Sequence, residues 1–275
     1  FRRAALVSVV FLALSAAPVG VFLVIRRMSL MGDALSHAVL PGAAAGYMLA
    51  GLSVPAMSLG GFVAGVVMAV LAGLVSRFTT LKEDASFAAF YLSSLALGVL
   101  MVSRGGNNVD LLNLLFGSIL GIDTASLALI ASVASVTIVA LAVMYRPLVM
   151  ESIDALFLRA VGGKGSWWHL LFMLLVVLNL VAGFQALGTL MSVGLMMLPA
   201  ISARLWSQRL GVILVCSAFI ALVCGYGGLL LSFYIEIPSG PAIILLCGGV
   251  YLLSVILGKE GGLVAQWVRG RHKKA

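Results

Sequence analysis

Two ionisable side chains with the spacing of one helical turn, Asp33 and His37, stand out within residues 26–42, which read Arg-Arg-Met-Ser-Leu-Met-Gly-Asp-Ala-Leu-Ser-His-Ala-Val-Leu-Pro-Gly. On a helix, residues four positions apart lie on the same face. A carboxylate and an imidazole together suit a borderline divalent cation such as Zn²⁺ or Mn²⁺. The pair therefore predicts a metal site, and its few ligands without a thiolate favour a site that releases its ion again.

The same two residues also have a purely structural interpretation. Asp33 follows Gly32 ahead of an apolar stretch, where an aspartate can cap a helix, and His37 would then be an ordinary hydrogen-bonded histidine. Capping leaves His37 without a role, and an ionisable side chain inside an apolar membrane helix is costly unless it has a partner or a function. We therefore favour the metal site.

Composition indicates that the elements carrying this pair are membrane-spanning helices. The chain has 275 residues, of which 63% are hydrophobic and only 9% are charged, a composition foreign to soluble domains. Long apolar runs with few charges predict helices rather than the alternating strands of a barrel. The formal net charge of +8 does not indicate nucleic-acid binding, because the basic residues form short clusters between apolar runs.

Nine apolar segments have about the length needed to cross a bilayer core of about 30 Å. We predict an all-α integral membrane protein, a polytopic bundle of about nine transmembrane helices that forms one domain of residues 1–275. Residues 183–188 fit either a tight turn between two spans or a break within one. The predicted spans are 4–25, 34–51, 55–75, 86–103, 124–145, 167–185, 187–205, 210–232 and 240–257.

Uncharged polar residues and small residues within these spans predict contacts between helices. Asn179, Gln185, Thr189 and Ser192 are expected to form interhelical hydrogen bonds. Glycine is abundant, with 31 residues, and pairs such as Gly42 and Gly46 allow helices to approach closely in lipid.

The distribution of Lys and Arg predicts the orientation of the chain. With the loop after the first span in the cytoplasm, 14 of the 17 basic residues lie in cytoplasmic segments, and only Arg2, Arg3 and Arg104 lie outside. The N-terminus is then outside and the C-terminus is cytoplasmic. This orientation gives a cytoplasmic loop at 146–166 and a basic cytoplasmic tail at 258–275 that would lie on the anionic inner leaflet.

Four stretches resemble the membrane permeases of zinc- and manganese-uptake ABC importers. Residues 26–42 are very similar to the most characteristic stretch of that family, and 151–162 resemble the short cytoplasmic helix that contacts the ATPase. Residues 192–204 resemble the family's Leu-Pro-Ala-containing span, and 234–241 resemble the stretch before its last helix, with Glu236 where aspartate is commoner. The matches keep the family's order through most of the chain.

The resemblance implies a fold related to the cobalamin and siderophore importer permeases, which is the type II ABC-importer permease fold. It also implies a homodimer in the bacterial inner membrane, with the translocation pathway at or near the dimer interface. A cytoplasmic ABC ATPase dimer and an extracytoplasmic metal-binding protein would be the partners. Asp33 and His37 would form a transient transport site, with zinc as the first candidate cargo, manganese as the second, ferrous iron not distinguished, and no permanently bound cofactor.

The sequence contains no Gly-x-x-x-x-Gly-Lys-Ser/Thr motif to hold nucleotide phosphates. We therefore expect a transport subunit that is not an enzyme, with ATP hydrolysed by a separate chain. Glu236 would attract cations to the outer mouth or contact the binding protein, although an ordinary exposed carboxylate explains it as well. The cytoplasmic loop would dock the ATPase through Glu151, Asp154, Leu156, Phe157, Leu158 and Arg159.

An ion-coupled secondary metal carrier is the alternative of a different class. Asp33 and His37 would then act as a proton or metal relay within a self-sufficient transporter. The long cytoplasmic loop and the odd number of spans argue against this alternative. Purification discriminates between the two, because an ABC permease is recovered with its ATPase and a carrier transports alone.

Overall fold

The computed structural model describes residues 2–51, 53–79, 83–104, 122–153, 165–265 and 267, which contain nine long α-helices and no strand. This confirms the prediction of an all-α membrane protein. The helices are α1 (Arg2–Ile25), α2 (Ser29–Ala50), α3 (Val54–Phe78), α4 (Glu83–Arg104), α5 (Thr124–Ile153), α6 (Gly165–Leu187), α7 (Thr189–Arg204), α8 (Leu210–Ile235) and α9 (Ser239–Leu257).

Six of these helices, α1, α3, α5, α6, α8 and α9, are long and apolar enough to cross a membrane by length and composition. The apolar parts of α4 and α7 are shorter, Ala85–Met101 and Met191–Arg204. Helix α7 has 16 residues and is therefore about 24 Å long. The nine helices of the described residues match the nine predicted segments in order.

Helices α1 and α6 form the interior of the bundle. Their apolar windows are 67% and 72% buried, against 28% for each of the other four long apolar helices. Helix α1 packs against α5, α7 and α8, and α6 packs against α3, α5 and α7. Helix α2 packs mainly against α3 and α4 and also contacts α6 and α7, so the helix that carries Asp33 and His37 is enclosed on several sides.

Small residues determine how closely α2 and α3 approach. A Cβ atom added at Gly42 would collide with the carbonyl oxygen of Gly60, and one added at Gly46 would collide with the carbonyl oxygen of Ala56. Backbone contact of this kind replaces the hydrophobic driving force that is weak between helices in lipid. The predicted role of Gly42 and Gly46 in helix packing is thereby confirmed.

Residues 183–188 include a tight turn between two helices. Helix α6 ends at Leu187, and Gly188 adopts φ 81°, a left-handed conformation that favours glycine, before α7 begins at Thr189. Across the turn, the Ser192 hydroxyl lies 3.5 Å from the Leu180 carbonyl oxygen. The chain reverses here, so α6 and α7 are an antiparallel pair rather than one bent helix.

Two helix boundaries differ from the predicted ones. Helix α2 begins at Ser29 rather than near residue 34, and α5 continues through Pro147 to Ile153, into the segment expected to be a loop at 146–166. The end of α5 is held by side-chain contacts from Glu151 and Ser152 to another part of the chain. Residues 154–164 of that loop and 268–275 of the basic tail lie outside the described residues.

Polar side chains join α6 to its neighbours. The Asn179 amide donates to the Thr137 hydroxyl on α5 at 2.8 Å, and the Gln185 amide donates to the Ser58 hydroxyl on α3 at 3.0 Å. These contacts confirm the predicted interhelical hydrogen bonds for Asn179 and Gln185, which hold the central helix in register with two others.

Candidate functional site

Asp33 and His37 lie one turn apart on α2 and face each other. The distance from His37 Nε2 to Asp33 Oδ1 is 3.7 Å, which is too long for a hydrogen bond. Two ligands on one tetrahedral ion, with metal–ligand bonds of 2.0–2.2 Å, stand about 3.4 Å apart. Small side-chain rotations therefore suffice for both groups to bind the same cation.

Helix capping does not account for Asp33. The N-cap of α2 is Met28, and the helix begins at Ser29, so Asp33 lies in the second turn and the capping interpretation is wrong. Its backbone carbonyl accepts a hydrogen bond from the Ser36 hydroxyl at 2.7 Å. The carboxylate is 51% exposed in the single chain, and it is therefore accessible to an ion or to another protein surface.

His37, in contrast, is buried. Its ring packs against Tyr91 of α4, with ring centroids 4.9 Å apart and an interplanar angle of 53°. Its Nδ1 atom has no hydrogen-bond partner in the described part of the chain. An unsatisfied buried polar atom costs about 1–3 kcal/mol, which a bound ligand or ordered water on the imidazole would offset.

The surroundings of the pair come from several helices. On α7, the Met197 side chain occupies the space beside Gly32, and the Val39 side chain packs beside Gly61 of α3. Movement of α4 or α7 against α2 would change the access and the orientation of Asp33 and His37. Asp33 and His37 therefore lie on a helix that several other helices contact.

A second polar centre, which the sequence did not predict, surrounds Arg26 at the end of α1. Its Nη2 atom donates to Glu151 Oε2 at 2.7 Å and its Nε atom donates to the Ser152 hydroxyl at 3.2 Å. The guanidinium carbon lies 4.8 Å from the centre of the Phe172 ring. The Arg26 and Glu151 side chains are only 6% and 13% exposed, which is low for charged groups.

The predicted ATPase-docking residues fall into two groups. Glu151 lies in the last turn of α5 with its carboxylate bound to Arg26. The other five, Asp154, Leu156, Phe157, Leu158 and Arg159, lie outside the described residues.

Glu236 lies directly after α8, exposed, with φ 58°. The turn is fixed by the Ser232 hydroxyl, which donates to the Ile237 carbonyl at 2.6 Å. Helix α8 has 26 residues and is about 39 Å long, so Glu236 lies far from the Leu205–Arg209 turn where that helix starts. The structure does not bring Glu236 together with Asp33 and His37.

Within the described ranges, no group of three or more His, Cys, Asp or Glu side chains is positioned to hold a metal ion. The two residues on α2 are thus an incomplete coordination set. An ion at this place would need water or ligands from another chain, which suits transient binding better than a closed structural site.

Sequence and structure comparisons identify proteins that are similar to this chain over most of its length. The chain is similar to the manganese transport system membrane protein MntC of Halalkalibacterium halodurans, with 29% identity over 275 residues, 100% of this chain and 93% of the relative. It is 31% identical over 253 residues to the chelated iron transport system membrane protein YfeC of Yersinia pestis, covering 92% of this chain and 85% of the relative.

The solved structure of PsaBC from Streptococcus pneumoniae in complex with Fab is similar in fold. Its matching chain aligns with a TM-score of 0.86 and 27% identity, covering 98% of this chain and 94% of the other. The model of the ABC 3 transport family matches residues 1–258. Because that match includes nearly all of the helical bundle, the chain belongs to the ABC 3 transport family.

Proposed function

We propose that this protein is the membrane permease of an ATP-driven importer that moves a divalent transition metal across the bacterial inner membrane. The observation that carries the proposal is the 3.7 Å approach of His37 Nε2 to Asp33 Oδ1 on an enclosed helix. The chain is a transport subunit that performs no covalent chemistry, and ATP hydrolysis belongs to a separate chain, in keeping with its family.

Manganese is the cargo to test first. A carboxylate and an imidazole accept Mn²⁺, Fe²⁺ and Zn²⁺, and the affinity order of these ions does not by itself set selectivity. The named relatives transport manganese or chelated iron, which supports manganese or iron more directly than zinc. Zinc, the first candidate from the sequence, stays a prediction.

A second copy of the chain would complete the site. The chain supplies two candidate ligands, and the Asp33 carboxylate is 51% exposed. In a twofold dimer the same surface meets itself, so the exposed Asp33 carboxylates of two copies can face one axis, each with its own His37 beside it. An ABC ATPase dimer on the cytoplasmic side and an extracytoplasmic metal-binding protein would complete the assembly, with the C-terminus cytoplasmic and the N-terminus outside.

Uptake by variants of the two candidate ligands tests the proposal. Asp33→Ala and His37→Ala should abolish ATP-dependent manganese uptake while the complex remains assembled, because removing an ionisable group from a membrane helix also removes its desolvation cost, which offsets the packing lost at His37. His169→Ala, which removes a histidine near the start of α6, is the matched control and should transport normally.

Normal uptake by both ligand variants would refute the transport site. Manganese transport by the purified chain without any ATPase would instead establish the secondary carrier. Metal analysis of the wild-type complex after incubation with equal Mn²⁺, Fe²⁺ and Zn²⁺ then identifies the preferred cargo.

A further inference from the structure

We propose that Arg26 and Glu151 form the link through which the ATPase-docking segment positions the metal-binding helix α2. This inference rests on the proposed function and assigns a positioning role to two residues that bind neither metal nor nucleotide. It also revises the role expected for Glu151, whose carboxylate is bound to Arg26 at 2.7 Å, so that it acts through Arg26 rather than by contacting the ATPase.

The contacts of Arg26 have the features of a built site. A buried ion pair is favourable only when its geometry is good and its remaining hydrogen-bonding groups are satisfied. Here a second guanidinium nitrogen reaches the Ser152 hydroxyl at 3.2 Å, and the Phe172 ring covers the guanidinium face at 4.8 Å. The Ser152 hydroxyl donates its own proton to the Leu148 carbonyl, which leaves its lone pairs for Arg26.

The chain between Arg26 and α2 is short and fixed. The Arg27 amide donates to the Val24 carbonyl at 3.2 Å, and the Met28 amide donates to the Leu23 carbonyl at 2.9 Å. With Arg27 at φ 58°, these bonds form a Schellman motif at the end of α1. Helix α2 begins at the next residue, so a displacement of Arg26 is transmitted to its first turns.

The other side of the ion pair leads to the docking segment. Glu151 lies in the last turn of α5, which ends at Ile153, and the other predicted docking residues begin at Asp154. The ion pair therefore joins Glu151, which lies three residues before Asp154, to Arg26, which lies seven residues before Asp33. These two regions are 125 residues apart in sequence at the ion pair, and the side-chain contact brings them together.

A third element meets the same turn. The Arg204 guanidinium at the end of α7 donates to the Val24 carbonyl at 3.2 Å, and Met197 of α7 lies against Gly32 of α2. A shift of the Arg26 turn thus displaces the end of α1 that Arg204 contacts and, through α2, the Gly32–Met197 contact beside the metal pair. This arrangement converts movement at the end of α5 into movement around Asp33 and His37.

The test measures manganese ions transported per ATP hydrolysed, in proteoliposomes that contain the permease, its ATPase and its metal-binding protein. Arg26→Gln and Glu151→Gln should each lower this ratio at least tenfold, and the double variant should lower it no further, because the pair acts as one unit. Arg27→Gln, which changes the exposed neighbouring arginine, is the matched control and should keep the wild-type ratio.

A wild-type ratio in both single variants, or a double-variant loss equal to the product of the single losses, would overturn the link. If the glutamine variants do not assemble, Arg26→Lys is the deciding variant, because it keeps the positive charge but lacks the guanidinium group that also reaches Ser152. A lowered ratio in Arg26→Lys supports the link, and an unchanged ratio refutes it. Failure of the proposed function is distinguishable, because the wild-type complex itself would then show no ATP-dependent manganese accumulation.

Discussion

The imidazole of His37 on α2 packs against the phenol ring of Tyr91 on α4, with centroids 4.9 Å apart. Because His37 is buried, this ring contact restricts the rotation of its side chain. A metal ligand must be held near its productive orientation by its neighbours. We therefore expect Tyr91 to position His37 for metal binding.

Two substitutions of Tyr91 should separate the effect of its ring from the effect of its hydroxyl group. Tyr91→Phe keeps the ring and should retain manganese uptake close to wild type. Tyr91→Ala removes the ring, frees His37 to rotate, and should lower the apparent affinity for manganese about tenfold, which corresponds to about 1.4 kcal/mol. Uptake measured against manganese concentration checks this, and equal affinities in the two variants would show that the contact has no positioning role.

The close approach of α2 and α3 gives a prediction about stability. Gly42→Ala would place a methyl group against the Gly60 carbonyl and the Ala64 side chain, and such overpacking costs about 1–3 kcal/mol. Thermal unfolding in detergent should show a lower midpoint. Gly249→Ala on α9 is the control, because a Cβ there meets no described atom within 4 Å, and it should not lower the midpoint.

The helical architecture and its order along the chain could be predicted because each long apolar run reports directly on a membrane helix. The i, i+4 pairing of Asp33 and His37 was also predictable, because it is local and follows from helix geometry. The central position of α1 and α6 could not be predicted, since α5 is as apolar as they are and yet only 28% of its apolar window is buried.

The end of α5 and the burial of Arg26 could not be predicted from the sequence either. Pro147 cannot donate a backbone hydrogen bond and therefore predicts a helix end, yet α5 continues to Ile153. The position of Arg26 after an apolar span predicts a charge that sets the membrane orientation, yet its side chain is buried against Glu151. The contact between Arg26 and Glu151 joins residues 125 positions apart, and no local pattern encodes it.

The geometry of the turn between α1 and α2 predicts that Arg27 tolerates replacement by glycine. This residue occupies the left-handed position of the Schellman motif at φ 58°, where glycine is unstrained and a β-branched residue is not. Arg27→Gly should change the stability by less than about 1 kcal/mol, whereas Arg27→Val should lower it by about 1–3 kcal/mol. Unfolding midpoints in detergent compare the two, and a less stable glycine variant would contradict the turn geometry.

The docking prediction concerns residues outside the described part of the chain and rests on the sequence. Phe157→Asp would place a charge in an apolar interface and should weaken association with the ATPase by about 2–5 kcal/mol. Co-purification of the ATPase with the tagged permease measures this. An unchanged yield of complex and unchanged ATPase stimulation would show that the ATPase docks elsewhere.

The orientation of the bundle underlies the docking and cargo proposals, and two exposed positions test it. Arg209 lies just before α8 and Glu236 lies just after it, so the 26 residues of this helix separate them. Basic residues are retained in the cytoplasm, and Arg209 is one of the 14 basic residues that the sequence assigns to cytoplasmic segments. Glu236 should therefore face outside.

Single cysteines at these two positions, in a background without Cys216, Cys224 and Cys247, decide the orientation. An impermeant thiol reagent added to intact cells should label Glu236→Cys and leave Arg209→Cys unlabelled until the membrane is opened. Both side chains are exposed, so an absence of labelling reports the side of the membrane rather than burial. The reverse pattern would place the end of α5 and the Arg26–Glu151 pair outside the cell, where no ATPase can reach them.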